Sequence, residues 1–317
     1  MRIATFKHGG SERVGIVDGE QVQPLSKGTS VLELLAATPA KRERLVAREA
    51  KGKPLALDTV ALQAPLRPTS MRDFVNFEAH VEGVVKTENP DAKVPEDWYD
   101  APSFYFTSTT ALFGPGDEIE IPPGCKRLDL ELEIGVVVGR DGRDLTAEQA
   151  REHIAGLTIY NDFSARDHGA REKRLGLGWA KAKDFANVLG PWIVTIDELE
   201  QYRNGDRYDL ELVASVNDIA LGRDTLASIA WSFEEMLVYA SRGAWLRAGD
   251  VLGSGTCGGG CLAELWGRNG KLEPPPLDVG DEVTLSVEGI GELVNRIIPG
   301  VEPILVPPAR RLHPEPV

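Results

Sequence analysis

Residues 128–138, LDLELEIGVVV, are the stretch of sequence that decides how this chain folds. Leucine and isoleucine alternate there with the acidic residues Asp129, Glu131 and Glu133, and three valines follow. In a β-strand this alternation places the three carboxylates on one face. A run of valines favours burial on both faces. The segment therefore predicts a strand that carries a row of carboxylates into the interior.

Carboxylates on a buried strand need a positive partner. Alternate α-carbons lie about 6.6 Å apart in a strand, and two ionised carboxylates at that distance repel by about 2 to 3 kcal/mol at an effective dielectric near 20. Two interpretations stay open at this point, a metal site and an edge strand with one solvated face. Oxygen ligands favour a hard divalent ion such as Mg²⁺, Ca²⁺ or Mn²⁺ over zinc or copper.

The remainder of the chain predicts many short strands and few helices. Runs typical of strands cover residues 130–138, 157–160, 192–195, 210–217 and 283–288, and runs typical of helices cover 146–154 and 228–242. Because strands outnumber helices without regular alternation, an α+β fold with mixed β-sheet is favoured over a doubly wound one. A proline-rich linker at 64–70 divides a small β-rich N-terminal domain, predicted over 1–68, from a larger domain over 69–317.

Composition and charge narrow the class of function. The 317 residues include 35 Lys plus Arg against 49 Asp plus Glu, a formal net charge of −14. A surface of that sign repels nucleic acid and anionic lipid headgroups. No run approaches the roughly 18 apolar residues of a membrane span, and three cysteines do not make a disulfide framework. We expect a cytoplasmic protein with no nucleic-acid or membrane partner.

Two motifs near residue 255 are typical in part of other kinds of site, a dinucleotide-binding loop and a zinc site. Residues 253–258, GSGTCG, match the G-x-G-x-x-G pattern of dinucleotide-binding loops. Such a loop opens directly into a helix whose N-terminus binds the pyrophosphate, and no helix is predicted there. Cys257 and Cys261 lack the second pair of ligands that a structural zinc site requires. We predict neither a dinucleotide site nor a zinc site built on this cysteine pair.

An ordered set of motifs between Met71 and Glu292 resembles the fumarylacetoacetate hydrolase family. The motifs are MRDF at 71–74 with His80 behind it, FGPGD at 113–117, LDLELE at 128–133, YNDFSARD at 160–167, KDF at 183–185, LGPW at 189–192 and GSGT at 253–256. Agreement in this order is not expected by chance. The resemblance implies a catalytic domain built as a mixed β-sheet barrel or roll.

The resemblance also implies a metal site of acidic residues. Its ligands would be Glu131, Glu133 and Asp162, with Asp73 as the further carboxylate that fumarylacetoacetate hydrolase itself uses. Asp162 has an alternative role as the cap of a helix beginning at Phe163. Related family members bind the metal with three acids, so the role of Asp73 as a ligand stays open. The implied cofactor is a divalent cation, Mg²⁺ before Ca²⁺ or Mn²⁺.

A catalytic histidine and its supporting acid are implied in the same way. His80 lies seven residues after Asp73, the spacing of the family's catalytic histidine, and an imidazole suits the task of taking a proton from water. Glu264 resembles the acid that orients this histidine. Glu82, on the same segment as His80, is a competing candidate.

Further residues correspond to substrate-binding positions of the family. Arg166 and Lys183 correspond to cations that hold the substrate and stabilise its developing oxyanion, although Arg166 has an alternative as the partner of Asp167. Gly255 and Thr256 correspond to a loop that lets backbone and a hydroxyl approach an anionic substrate group. The alternative for this loop is a tight turn.

Departures from the family pattern limit the expected substrate. Val75, Asn89 and Gly169 stand where fumarylacetoacetate hydrolase itself carries a tyrosine, an arginine and a glutamine. The groups that bind that substrate's far carboxylate and oxyanion are therefore partly missing. Fumarylacetoacetate itself is not the expected substrate.

The sequence thus predicts a metal-dependent hydrolase that cleaves a carbon–carbon bond in a small 2,4-dioxo acid such as an acylpyruvate, with water activated by His80. A first alternative keeps the site but performs the reaction of an oxaloacetate decarboxylase, hydratase or isomerase, through an enolate that the metal stabilises. A second alternative is a non-catalytic, metal-stabilised binding protein. The family's tendency to pair implies a homodimer.

Overall fold

A mixed β-sheet forms the centre of the structure, which is a computed structural model. The structure describes residues 1–310, and residues 311–317 of the predicted second domain lie outside the described part. The strands are β1 (Arg2–His8), β2 (Ser11–Asp18), β3 (Gln21–Pro24), β4 (Leu55–Ala56), β5 (Ala61–Gln63), β6 (Met71–Phe74), β7 (Phe104–Thr107), β8 (Leu112–Phe113), β9 (Glu118–Glu120), β10 (Leu128–Asp129), β11 (Leu132–Val138), β12 (Gly142–Arg143), β13 (Ile154–Asp162), β14 (Ser164–Ala165), β15 (Asn187–Thr195), β16 (Arg203–Asn204), β17 (Arg207–Tyr208), β18 (Glu211–Val216), β19 (Ile219–Thr225), β20 (Trp245–Leu246), β21 (Val251–Gly253), β22 (Glu282–Val287) and β23 (Gly291–Ile298).

Helices occupy many of the connections between these strands. The α-helices are α1 (Val31–Ala36), α2 (Pro39–Glu49), α3 (Glu78–Val85), α4 (Asp97–Asp100), α5 (Ala147–His153), α6 (Arg166–Leu175), α7 (Ile196–Leu199), α8 (Phe233–Ser241) and α9 (Leu262–Asn269). Single turns of 3₁₀-helix lie at Leu57–Thr59, Glu200–Tyr202 and Leu226–Ser228. Over the described residues, no helix has both the length and the apolar character needed to cross a bilayer.

The central sheet combines antiparallel and parallel pairs. Its strands follow the order β4-β3-β2-β1-β15-β13-β11-β21-β6-β7, with β5 beside β1 and β8 beside β15. The pairs β21–β6 and β15–β8 are parallel. The predicted α+β class with mixed sheet is confirmed. Within residues 1–310 the strand order is an open path, so this sheet is not a closed barrel.

The N-terminal segment joins the central sheet through one strand. β1, β2 and β3 form consecutive antiparallel pairs, and a tight turn at Gly19 connects Asp18 to its partner Gln21. Gly19 has a φ of 54°, a conformation that glycine adopts without strain. β1 also pairs with β15. The domain boundary at residue 68 stays a prediction.

A second sheet contributes to the main hydrophobic core. Its strand order is β19-β18-β22-β23-β9. Leu212 on β18 and Leu285 on β22 belong to the same cluster of buried apolar residues as Leu132 and Ile134 on β11 and Met236 on α8. Full burial of such a side chain contributes about 1.5 to 3 kcal/mol. This core holds β11 rigidly between its neighbours.

The acidic strand lies in the middle of the central sheet. β11 pairs with β13 on one side and β21 on the other, and all its residues are buried. The edge-strand interpretation is therefore wrong. The strand is also shorter than predicted, because β10 ends at Asp129 and pairs with β14, whereas β11 begins at Leu132.

Two helices form where the sequence predicts them, and two unpredicted helices carry residues of the site. α5 follows Thr146, whose hydroxyl accepts the Gln149 backbone N–H in a capping box. α8 starts later than predicted, because Ser232 and Glu235 form a capping box there. Neither α9, which carries Glu264, nor α3, which carries His80, is predicted from the sequence.

Candidate metal centre and active site

Four buried acidic side chains form one group, called here the acidic cluster. Each offers a carboxylate oxygen within 4.8 Å of the others, and they are Asp73, Glu131, Glu133 and Asp162. Asp162 ends β13 and Glu133 lies near the start of the antiparallel β11, so the two acids occupy the same end of the sheet. Asp73 lies on β6, two strands further along. The sheet topology therefore brings together all four predicted ligands.

Gly253 on β21 makes room for this convergence. It lies between β11 and β6 in the sheet, opposite Asp73. A Cβ at this position would lie 2.4 Å from Asp73 Oδ1 and 2.8 Å from Glu133 Oε2. Any side chain larger than hydrogen would separate these carboxylates or push them aside. The first glycine of the 253–258 motif is thus required by the acidic cluster.

A buried cation, Lys183, and a partly buried one, Arg166, contact part of the acidic cluster. Lys183 Nζ donates to Asp162 Oδ2 at 2.6 Å and also to Glu131, and Arg166 donates to Glu131 Oε1 at 2.7 Å. Burial raises the pKa of Glu131, but Arg166 and Lys183 outweigh burial and hold it below its ordinary value. Burial lowers the pKa of Lys183, but Asp162 and Glu131 outweigh burial and raise it above its ordinary value. The acids and the cations in this half of the site are therefore both ionised.

Among residues 1–310, no ion pair reaches the other half of the acidic cluster, Asp73 and Glu133. Lys183 forms ion pairs with Glu131 and Asp162, and Arg166 forms ion pairs with Asp129 and Glu131. Burial and the nearby charge of Asp162 raise the pKa of Asp73 to about 8. Burial and Asp73 raise the pKa of Glu133 well above its ordinary value. The metal-free site therefore favours protons on these two carboxyls, and a cation bound between them would replace those protons.

Two oxygens of the acidic cluster have no hydrogen-bond partner among the described residues, Asp73 Oδ1 and Asp162 Oδ1, and both are buried. A buried acceptor left unpaired costs about 1 to 3 kcal/mol, and more when charged. A hard divalent ion with oxygen ligands satisfies both atoms. The helix-cap alternative for Asp162 is wrong, because α6 begins only at Arg166 and its N-cap residue is Ala165. The residues present therefore fit a divalent metal ion.

Asp129 lies outside the acidic cluster. The backbone N–H groups of the first two residues of α9 donate to its carboxylate at 2.7 and 3.0 Å, and Arg166 Nε donates to it at 2.8 Å. Asp129 thus fixes the start of α9 instead of facing its neighbours. The expectation that three carboxylates share one face is wrong for this residue, because the strand is interrupted after it. In the described ion pairs Arg166 binds Asp129 and Glu131, not Asp167.

His80 lies between an acid and the acidic cluster. Its Nδ1 lies 2.9 Å from Glu264 Oε1, and its Nε2 lies 3.9 Å from Glu131 Oε1. Glu264 is in the first turn of α9 and is fully buried. Glu82, the competing candidate, is half-exposed and forms an ion pair with Lys86. The geometry therefore joins His80 with Glu264.

The loop after β21 binds a cluster carboxylate. The Gly255 N–H donates to Glu133 Oε2 at 3.0 Å, and the Thr256 hydroxyl donates to Glu133 Oε1 at 3.3 Å. Gly255 has a φ of 79°, and a Cβ there would lie 2.6 Å from the Phe74 carbonyl oxygen. Glu133 therefore occupies both of these donors. Thr256 lines the cavity described below, and its contact with substrate stays a prediction.

Tyr105 on β7 is a site residue that the sequence analysis did not identify. Its hydroxyl donates to Asp73 Oδ2 at 2.6 Å and also contacts Asp162. Burial and the charges of Asp162 and Asp73 raise its pKa well above the ordinary value, so the phenol stays neutral. The segment 104–107, FYFT, reads as an ordinary strand. Only the pairing of β7 with β6 brings this hydroxyl to the acids.

A cavity of about 520 Å³ opens onto the acidic cluster. Its inner wall is polar and contains His80, Glu131, Arg166 and Lys183. The rest of the lining is mostly apolar, with Val81, Val84, Val85, Ala170, Trp179 and Trp266, and it also includes the charged Glu88, Arg127 and Lys173. A small molecule with one anionic, oxygen-rich end and one apolar end matches this division.

Two of the positions that depart from the family pattern line this cavity. Val75 presents an apolar side chain, and Gly169 lies beneath the indole of Trp179. A Cβ on Gly169 would lie 2.5 Å from a ring carbon of Trp179. The indole therefore occupies the space that a glutamine at 169 would need. No polar side chain from these two positions reaches the substrate end.

Comparison with known proteins agrees with this geometry. Residues 69–298 match a family described as "Fumarylacetoacetate (FAA) hydrolase C-terminal", and residues 1–65 match one described as "Rv2993c-like, N-terminal". A mitochondrial oxaloacetate tautomerase of Rattus norvegicus is 27% identical, covering 94% of this chain and 92% of the relative. A 2,4-didehydro-3-deoxy-L-rhamnonate hydrolase of a Sphingomonas species is 26% identical, covering 92% and 94%. The crystal structure of a Sphingobium maleylpyruvate hydrolase with manganese(II) and pyruvate has the same fold, with 21% identity, a TM-score of 0.69 and coverage of 95% of this chain and all of that one.

Proposed function

The chain belongs to the fumarylacetoacetate hydrolase family, and from this premise we propose that it is a metal-dependent hydrolase of carbon–carbon bonds in 2,4-dioxo acids such as acylpyruvates. The observation that carries the proposal is the position of His80 at the cavity wall, between Glu264 and the acidic cluster. A base placed there faces both water in the cavity and a substrate held beside the acids.

The acidic cluster supplies the ligands that the proposed cofactor needs. Its four carboxylates would hold a divalent cation, proposed as Mg²⁺ before Ca²⁺ or Mn²⁺. A divalent ion held there would stabilise the negative charge that develops on the oxygens of a dioxo acid. The manganese and pyruvate bound to the maleylpyruvate hydrolase support this assignment. Pyruvate is the product that hydrolysis of an acylpyruvate would release.

His80 would begin the reaction by taking a proton from water. With the Nδ1 hydrogen directed at Glu264, the lone pair of Nε2 accepts that proton. The water oxygen bonds to the acyl carbonyl carbon, and the bond from this carbon to the neighbouring methylene breaks. Its electron pair leaves on the three-carbon half, which takes up a proton and becomes pyruvate, while the acyl half leaves as a carboxylic acid. While His80 holds the proton taken from water, Glu264 stabilises the positively charged imidazole.

Lys183, Arg166 and the 255–256 loop are proposed to orient the substrate. Lys183 and Arg166 line the cavity, and each carries N–H groups that bind acids of the site. A fixed cation facing the carbonyl oxygen stabilises the oxyanion that water addition creates. Thr256 lines the cavity directly, whereas Gly255 acts through Glu133.

An acylpyruvate panel tests this proposal. Loss of the enolised diketone absorbance, with chromatographic detection of pyruvate and the released acid, would be followed for acyl chains of increasing length. We expect turnover that requires added divalent ion and that favours apolar acyl groups, because most of the cavity lining is apolar. Metal-loaded protein that releases no pyruvate from any member would rule the hydrolase out.

A second candidate function is the interconversion or decarboxylation of oxaloacetate. It is supported by the likeness to the mitochondrial oxaloacetate tautomerase. Tautomerisation moves a proton between carbon and oxygen without adding water, and it leaves the carbon skeleton intact. Oxaloacetate in the same panel, followed by NMR for keto and enol forms and for carbon dioxide release, separates it from hydrolysis.

We also propose that the protein forms a homodimer in the cytoplasm. Light scattering with size-exclusion chromatography would measure the number of subunits.

A third candidate is a metal-stabilised binding protein without catalytic activity. A purely structural metal site would bind a divalent ion tightly while substitution of His80 or Lys183 changed no diketone reaction. That pair of results would replace the enzyme with a binding protein.

A further inference from the structure

Cys261 places a buried thiol beside His80 and Glu264. Its Sγ lies 3.7 Å from His80 Nδ1 and 3.8 Å from Glu264 Oε1, and those two atoms are 2.9 Å apart. Cys261 and Glu264 are fully buried, and His80 is 8% exposed at the cavity wall. One sulfur, one nitrogen and one oxygen therefore form a small triangle behind the cavity wall, to which His80 belongs.

The triangle matches one face of a tetrahedral metal site. With Zn–S bonds of about 2.3 Å and Zn–N and Zn–O bonds of about 2.1 Å, the edges of such a tetrahedron measure about 3.3 to 3.6 Å. The two edges to Cys261 Sγ are close to this range. The shorter edge between His80 and Glu264 is a hydrogen bond that lengthens when an ion replaces its proton. A water molecule would take the fourth position of the tetrahedron.

Glu264 is held in place for this role. Its Oε2 accepts the Gly259 N–H at 2.7 Å and a guanidinium N–H of Arg268 at 2.9 Å. Oε1 therefore remains directed at His80 and Cys261. Fixed ligands of this kind lower the cost of assembling a metal site.

We propose that Cys261, His80 and Glu264 form a second metal site, specific for a borderline divalent ion such as Zn²⁺ or Co²⁺, and that its occupation inhibits the enzyme. Thiolate and imidazole ligands favour these ions, whereas the oxygen ligands of the acidic cluster suit Mg²⁺, Ca²⁺ and Mn²⁺. Binding replaces the thiol proton, which leaves to solvent, by the metal–sulfur bond. The ion also takes the Nδ1 lone pair, so the remaining ring proton must reside on Nε2. His80 then has no lone pair with which to accept a proton from water.

Cobalt spectroscopy tests the site without turnover. Co²⁺ would be added to the full-length protein after the acidic cluster has been saturated with Mg²⁺. We expect an intense thiolate-to-cobalt charge-transfer band and the visible bands of tetrahedral Co²⁺ in the unaltered protein, and loss of the charge-transfer band in Cys261→Ser. Cys257→Ser, which removes another buried thiol of the same loop, should retain the band. Absence of the band from the unaltered protein, or its persistence in Cys261→Ser, overturns the proposal.

Zinc inhibition tests the consequence for activity. With Mg²⁺ present, Zn²⁺ should inhibit the unaltered protein, and Cys261→Ser should need at least about 10-fold more Zn²⁺, the smallest effect typical of a lost supporting group. Equal sensitivity of the two proteins contradicts the inhibitory role. This arm rests on the proposed function, but the cobalt measurement does not, so failure of the hydrolase and failure of the second site are distinguishable.

Discussion

His80 and Glu264 are separated by 184 residues in the chain, and their side chains meet at 2.9 Å. The helices that carry them, α3 and α9, approach at glycine positions. A Cβ on Gly83 would lie 2.9 Å from Glu264 Cγ, and a Cβ on Gly267 would lie 2.0 Å from the Gly83 carbonyl oxygen. Glycine at both positions therefore sets the helix separation that lets the acid reach the imidazole.

Replacement of His80 removes the proposed base. A positioned base contributes about 10²- to 10⁴-fold to the rate, so His80→Ala should lose about that much in kcat. Mn²⁺ affinity measured by calorimetry should change little, because the acidic cluster stays intact. His8→Ala, at an exposed strand end, is the matched control. Full turnover by His80→Ala would remove this residue from the mechanism.

Replacement of the acid beside His80 separates the two glutamate candidates. Glu264→Gln keeps the shape but loses the charge that stabilises a protonated imidazole, so kcat should fall by about 10-fold or more. Glu82→Gln removes only a surface ion pair, worth about 0 to 1 kcal/mol, and should leave kcat unchanged. The reverse ranking of the two variants would reassign the supporting acid.

Replacement of Gly253 tests the space that the acidic cluster needs. In Gly253→Ala the new methyl group would meet Asp73 Oδ1 and Glu133 Oε2. We expect divalent-ion affinity to fall by about 10- to 100-fold, as when groups that support metal ligands are removed. Calorimetric titration with Mn²⁺ measures this, and circular dichroism confirms the fold. An affinity equal to that of the unaltered protein would show that the metal binds elsewhere.

Two acids of the same sequence motif should respond differently to loss of charge. Asp129→Asn breaks a buried contact with Arg166 and the start of α9, so we expect about 3 kcal/mol loss in the free energy of unfolding. Glu133→Gln breaks no ion pair and should destabilise the metal-free protein less than Asp129→Asn does, while weakening metal binding. Urea unfolding with a chelator present measures both variants. Equal destabilisation would contradict the division between structural and metal-binding acids.

The raised pKa of Asp73 predicts how stability depends on pH. The folded, metal-free protein keeps this carboxyl protonated up to about pH 8, whereas the unfolded chain ionises it near pH 4. The folded state binds the extra proton between these values, so stability should fall as pH rises through this window, by up to about 1.4 kcal/mol per pH unit for one group.

Thermal unfolding between about pH 6 and about pH 8 measures this dependence. Saturating Mg²⁺ should reduce the fall, because the ion replaces the proton and binds more tightly as pH rises. Asp73→Asn, which cannot ionise, should show a flatter curve without metal. A pH-independent melting temperature in the metal-free protein would contradict the assigned protonation.

Local sequence patterns predicted those elements whose tertiary surroundings agree with the secondary structure that their own residues favour. The strand over 132–138 and the helices α5 and α8 form close to their predicted positions, because apolar periodicity and capping residues act within a few residues. α9 was missed because it begins where Asp129, more than a hundred residues earlier, accepts its first N–H groups. No pattern within residues 262–269 indicates that Asp129 binds the start of this helix.

The amino-acid sequence by itself determined the family, the α+β class and the identity of the acids, because motif order and side-chain alternation are written along the chain. Tertiary structure alone decided that Asp73 joins Glu133 across Gly253, that Asp129 leaves the cluster, and that Tyr105 and Cys261 enter the site. The reason is physical: alternation fixes which face of a strand a residue occupies, whereas contact between faces depends on which strands pair, where a strand is interrupted and how closely two helices approach.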